Sequence, residues 1–481
     1  MRHPLGFFTM VLLLAAAAAG AAHAQWSSDP AANLALADRP YEQSVPKIAA
    51  TSDGGAYVGW YDQASGNYDL YLQRLDPSGV ELWGHNGIPV SEHPQDTWVM
   101  EWHLIADTAG AAVLVFSDIR DERTYNVVNA YRVGPDGSML WGPDGIALSD
   151  AGPSEMCAGM RVTQASDGDF VVVWTEWGMG RGGQLKMQRV SPEGVLRFAA
   201  GGINLAKAKS SAPAFPDLVP ADDGSVIVAW LTDNLIDSTS KFLVAQKFDA
   251  AGSAVWPGPV TVFDACSLPV AYMPEIRPDG RGGALLAWHY TPWLVYNAAV
   301  QHLGADGTEL FPHNGVTVAT DESRYHYYPA MAYDAATGEI SVFFREYDST
   351  YGLYGLSVQR LSPQGERLLG DGGKALIPLG PTEVWPPVAM PAGADSAVFW
   401  MERLTWSDVR IQGSRVDAAG TMLWGGRPVA ISSYPSAKGD LQLAPGAAGA
   451  AVLVWDDSRN AAVTGQDIYG QKVRADGALG N

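Results

Sequence analysis

Short apolar runs recur along the chain, and each is closed by an aromatic: AYVGW at Trp60, AAVLVF at Phe116, FVVVW at Trp174 and VIVAW at Trp230. ALLAW at Trp288, ISVFF at Phe344, SAVFW at Trp400 and AAVLVW at Trp455 continue the series, with 55 to 58 residues between successive aromatics. Runs that are apolar at every position, not at alternate ones, predict strands buried on both faces. A shorter strand and a tight turn such as Asp53-Gly54-Gly55 precede each run. A polar loop, a third strand like DLYLQRL at Asp69–Leu75, a glycine turn and a WGHNGIPV-like fourth strand follow it. The turn glycines Gly79, Gly137, Gly194, Gly252, Gly307, Gly365, Gly420 and Gly477 keep the same period, with a basic residue five positions before each, from Arg74 and Arg132 to Lys472. Two registers with one period define a repeat protein. Helical periodicity is absent beyond the N-terminal segment.

Four short antiparallel strands repeated eight times predict an all-β protein, an eight-bladed β-propeller whose sheets pack both faces against their neighbours. The last repeat stops after three strands, whereas residues 26–38 (WSSDPAANLALAD) carry the missing fourth-strand pattern. The N-terminus is therefore expected to complete the last blade, which removes an exposed sheet edge. The expected blades are residues 46–99, 100–159, 160–215, 216–273, 274–328, 329–385 and 386–439, with 440–481 plus 25–45 as the eighth. Together they form a single domain, 25–481.

Residues 1–24 combine a basic start, an apolar run and small residues at Ala22 and Ala24, the pattern of a cleaved export signal. The expected product is secreted or periplasmic. The full chain's formal net charge of −21 disfavours nucleic acid and anionic membrane surfaces as partners. A monomer is expected. Cys157 and Cys266 fall in equivalent inter-repeat loops two repeats apart, so separate thiols are preferred to a bridge.

The string from Trp455 through Asp457, Arg459, Asp467, Ile468, Tyr469 and Gln471, with the Trp-Gly-x-x-Gly of Trp83 to Gly87, resembles secreted bacterial repeat proteins. Their shared unit reads W-x-D-x-R … D-I-Y-x-Q-R … W-G-x-x-G. The resemblance spans the mature chain and implies the propeller architecture. Such proteins are mostly of unassigned function, so it implies no catalytic residue. Phe344, Tyr131, Ser414 and Leu369 depart from the pattern.

A carboxylate follows the closing aromatic by two positions at Asp62, Asp118, Glu176, Glu346, Glu402 and Asp457. A ring of acids could bind a cation or polar ligand, but a feature repeated in blade after blade is better explained by local structure. Converging unpaired acids would also repel one another. The repeated Gln of the third strand (Gln73, Gln188, Gln246, Gln301, Gln359, Gln471) is buried in this reading and is expected to bond to a neighbouring blade.

Non-repeated residues carry more functional information. The loop face is rich in them, Trp102, Tyr296, Tyr325, Tyr347 and Tyr434 included; Trp98, Trp177, Trp293, Tyr327, Trp385 and Trp406 are the candidate ligand contacts. Aromatics beside acids suit carbohydrate, whose apolar ring face stacks while its hydroxyls donate. The resulting expectation is a non-catalytic binding or scaffold propeller for a glycan or cell-envelope partner. The alternatives are a polysaccharide-degrading enzyme, with His289-Tyr290 and Arg324-Tyr325-His326 as its candidate acid–base groups, and a purely structural envelope protein. Haem, phosphate-loop, nucleophile-elbow and Cys/His metal motifs are absent, so no cofactor is expected. A structural cation such as calcium stays open.

Overall fold

The computed structural model describes residues 25–95, 101–120, 125–152, 155–178, 181–207, 213–233, 241–269, 273–292 and 295–481. The expected export signal, Trp98 and Trp293 lie outside these residues. Eight antiparallel sheets follow one another around a ring, forming an eight-bladed β-propeller. The innermost strands are Gln43–Ala50, Trp102–Ala106, Glu155–Gln164 and Ala214–Pro220 in blades one to four. Glu275–Pro278, Tyr325–Asp334, Val388–Ala392 and Lys438–Pro445 serve blades five to eight. Blade seven adds a short strand, Glu383–Val384, beside its second strand. Several innermost strands begin ahead of the repeat boundaries, as at Glu155 in blade three. Register shifts there place Val45, Gly159, Phe215, Tyr328 and Asp440 at φ of 53°, 66°, 51°, 54° and 46°.

The apolar runs are second strands, and Ala56–Asp62 is buried at every position. The core is split among eight apolar clusters, each straddling two successive blades. The last joins blade eight to blade one through Trp26, Leu34, Leu36, Val58, Trp60 and Val454. Leu34–Ala37 pairs with Asp467–Val473 as the outer strand of blade eight, so the two ends of the chain close the ring.

The turn glycines hold this closure. Gly79 has φ 86°, which favours glycine, and a Cβ there would lie 2.8 Å from the Trp26 ring. Trp141 covers Gly194, Trp256 covers Gly307 and Trp424 covers Gly477 in the same way, each from the preceding blade. The indole N–H of Trp141 also donates to Pro192 O at 3.0 Å, and that of Trp256 to Ala305 O at 3.0 Å. The repeated base works across the same joint: Arg132 pairs with Asp107 of its own blade at 2.7 Å and donates to Pro192 O of the next at 3.0 Å.

The repeated glutamine bonds differently from expectation. Gln301 accepts from the His302 and Phe311 N–H groups and donates to Pro312 O, and Gln188 and Gln359 repeat the pattern within their own blades. It fastens the third strand to the loop ten residues on, because that loop passes over the buried carboxamide. Among the described residues, only Gln359 also reaches the preceding blade, at Val318 O. In blade eight, Gln471 reaches the N-terminal segment through Ser27 O and Asn33.

Candidate functional site

The second strands all run toward the face that carries the hairpins between second and third strands and the connections between blades. The repeated acids cap these strands and have local partners. The indole N–H groups of Trp174, Trp400 and Trp455 donate to Glu176, Glu402 and Asp457 at 2.8, 3.0 and 3.0 Å, which accounts for the spacing of two residues. Phe116 has no N–H, and Asp118 is held instead by Arg120, Asn129 and Ser91. Asp457 is held by Ser436, Arg459 and, at 3.7 Å, a fully buried Lys438. Burial lowers the Lys438 ammonium to about 8. Asp62 lies 3.7 Å from Arg39, and desolvation raises its carboxyl. Glu346 lies 3.6 Å from His326.

Immediately after each closing aromatic comes a residue that does not repeat: Tyr61, Ser117, Thr175, Leu231, His289, Arg345, Met401 and Asp456. In blades five, six and eight this strand position holds a titratable or charged side chain. His289 is 5 % exposed, and burial lowers its imidazole to about 4, so it is neutral. Its Nδ1 accepts the Tyr328 N–H at 3.3 Å. The rings of Tyr296, Tyr328 and Tyr327 surround it at 5.7, 5.1 and 6.2 Å. Tyr327 meets Tyr296 at 5.7 Å, and Tyr325, Tyr347 and Tyr354 extend the cluster outward in successive contacts. Burial pushes the Tyr327 phenol up to about 12.

Arg345 lies over the rings of Tyr327 and Tyr354 at 5.0 and 4.9 Å, and its Nη2 is 3.1 Å from Glu383. Glu383 also pairs with Arg403, whose guanidinium covers one face of Trp406 at 3.7 Å. Trp406, at the tip of a hairpin in blade seven, is 80 % exposed. A continuous surface of tyrosine rings, ion-paired arginines and an open indole thus spans blades five to seven.

Among the candidate contacts, Tyr327 is in this surface, Trp406 is at its rim, and Trp385 lines an adjoining recess between blades seven and eight. Trp177 ends the second strand of blade three, in another sector of the same face. Trp102, expected on a loop, is instead a strand residue 1 % exposed, packed on Gly59 and bonded to Val45 O. His289 and His326 have separate surroundings: His326 is 1 % exposed and faces Glu346 and Phe344. Tyr290 packs on Phe263 of the preceding blade. Cys157 and Cys266 are free thiols, and burial raises that of Cys157 to about 12.

The innermost strands add one asymmetry around the axis. The residues opposite the position before each closing aromatic are, in blade order, Lys47, His103, Arg161, Asp217, Glu275, Ala330, Val388 and Gln442. A basic arc is followed by an acidic and then an apolar one. A cavity of about 730 Å³ lies along the apolar side, against Met331, Val388, Met390, Leu441 and Leu443. Among the described residues, no group of three or more His, Cys, Asp or Glu side chains is placed to hold a metal, and no helix is long and apolar enough to cross a membrane.

No family model matches the chain, and no curated protein matches it. Among solved structures, an ulvan-degrading polysaccharide lyase aligns with 94 % of this chain and 97 % of its own at 9 % identity, with a TM-score of 0.48. An α-L-arabinanase of Penicillium chrysogenum aligns with 93 % of this chain and 99 % of its own at 11 % identity and a TM-score of 0.39. An α-L-arabinofuranosidase of Fusarium graminearum covers 92 % and 97 % at 11 % identity, also with a TM-score of 0.39. Likeness at this level carries no argument about the chemistry of this chain.

Proposed function

We propose that this protein is an exported glycan-binding propeller whose ligand lies on the loop face of blades five to seven. The observation that carries this reading is the surface built from Tyr296, Tyr325, Tyr327, Tyr347 and Tyr354, the Arg345–Glu383–Arg403 ion pairs and the open indole of Trp406. Ring faces take the apolar faces of sugars, and fixed charges orient hydroxyl or acidic substituents. The opposite face offers short turns whose polar groups are already bonded internally, as where Asp107 accepts from Ala109 and Ala111. Export rests on the character of residues 1–24.

A second reading, polysaccharide elimination, is favoured by one feature: the imidazole of His289 lies amid the phenols of Tyr296, Tyr327 and Tyr328, the residue types that such acid–base chemistry uses. Its 5 % exposure weighs against direct contact with a polymer. Incubating the protein with a panel of neutral and acidic polysaccharides, with affinity electrophoresis for binding and chromatography of products for cleavage, separates the readings. Retention without new products supports the binding propeller. Unsaturated or reducing products that vanish in His289→Ala establish the enzyme.

A further inference from the structure

Beside this surface, between blades seven and eight, a recess of about 550 Å³ opens on the loop face. Trp385, Pro386 and Pro387 form one wall, and Asp440, Gln442 and Asp456 belong to the other. Its size falls within the range of small-molecule sites. Asp456 is 3 % exposed, yet its Oδ1 makes no hydrogen bond to any described residue. Gln466 and the Gly439 N–H lie close enough to favour its charge and Asp440 close enough to favour its proton, but none of them closes a bond onto that oxygen. A buried carboxyl oxygen that makes no hydrogen bond is uncommon and points to a partner supplied from outside. The adjacent Asp440 adds a second acceptor, and burial first, then like charge from Asp440, raise the Asp456 carboxyl.

We propose that this recess is a subsite for one neutral sugar ring, stacked on Trp385, with neighbouring hydroxyls donating to Asp440 and Asp456. The inference rests on the glycan reading of the loop face and extends it past Trp406 and Glu383 toward the axis. Three other occupants fit less well: an anion meets two carboxyl groups, a purely apolar group leaves the Asp456 oxygen without a partner, and a calcium ion requires six to eight oxygen ligands. The recess sets two carboxyl groups, with Gln442, Ser458 and Gln466, beside an indole and the Lys438 ammonium, which disfavours a metal cation. A pyranose satisfies both walls, because its C–H face is apolar and its edge carries the donors.

The test titrates the full mature chain with neutral polysaccharides and their oligosaccharides by calorimetry, alongside Trp385→Ala, Asp456→Ala, Asp456→Asn and Trp406→Ala, with melting followed for each. The expected result is a loss of about tenfold or more in affinity for Trp385→Ala and Asp456→Ala. Asp456→Asn, which keeps the shape and one acceptor, stays folded and loses less. If wild type binds a polysaccharide and Trp406→Ala weakens it while the recess variants bind normally, the subsite is wrong and the loop-face reading stands. If no polysaccharide binds, both fall. If calcium chloride alone raises the melting temperature and Asp456→Ala abolishes that rise while sugars have no effect, the recess is a cation site and the proposal is overturned.

Discussion

Trp26 lies on Gly79: the indole of the outermost segment of blade eight covers the turn glycine of blade one, so a Cβ at that glycine would stand 2.8 Å from the ring. The contact copies those of Trp141 on Gly194 and Trp256 on Gly307, and here it joins blade one to the N-terminal segment that completes blade eight. Deleting residues 25–45 removes it, together with the strand Leu34–Ala37. The truncated chain is expected to melt far lower or to aggregate, because Asp467–Val473 becomes an open edge. Trp26→Ala alone should cost about 3–5 kcal/mol, as for other buried large-to-small changes. Unchanged cooperative melting of the truncated chain contradicts closure.

The repeated acids differ in what they hold, and the difference is measurable. Asp457→Ala leaves Lys438 and Arg459 buried without their carboxylate and is expected to cost about 3–5 kcal/mol in urea denaturation. Glu402→Ala loses one indole hydrogen bond at a half-buried site and is expected to cost about 1 kcal/mol. Equal costs at the two sites would remove the distinction.

Stability should also report the Asp456 environment. Burial first, and Asp440 second, raise this carboxyl to about 7. A raised folded-state pKa means that the proton binds the folded protein more tightly. The contribution is therefore complete below the ordinary aspartate value near 4 and is lost as pH rises through about 7. Asparagine does not titrate, so Asp456→Asn should match wild type at pH 4 and exceed it above pH 7 by on the order of 2–4 kcal/mol. A stability difference independent of pH refutes this assignment.

The propeller was legible because both of its registers are written in residues that the fold needs at fixed places. A closing aromatic fills each seam, and a left-handed glycine lies under a side chain of the preceding blade, an indole in five of the eight. The split blade was legible because Trp26 and Leu34 repeat the pattern of Trp83 and Ile88. The glutamine partners were not, since a buried carboxamide shows its need for bonds but not which backbone passes over it. Asp456 was obscured for another reason: it stands one place after the closing aromatic, inside the strand, where an apolar run draws attention away from it, whereas His289 was legible beside Tyr290. Comparing that position across repeats separates His289, Arg345 and Asp456 from Leu231 and Met401. Nothing in the spacing places Asp440 beside Asp456, because a register shift between Gly439 and Gln442 brings it there.

The central claim is that a glycan lies on the loop face of blades five to seven. Calorimetric titration of one bound polysaccharide into Trp406→Ala, Tyr327→Ala and Arg74→Ala tests it most directly, since Arg74 is on the opposite face, where it pairs with Asp53. Affinity losses equivalent to about 1–3 kcal/mol are expected for the two aromatic variants and none for Arg74→Ala. Wild-type affinity in both aromatic variants, or an equal loss in Arg74→Ala, contradicts it.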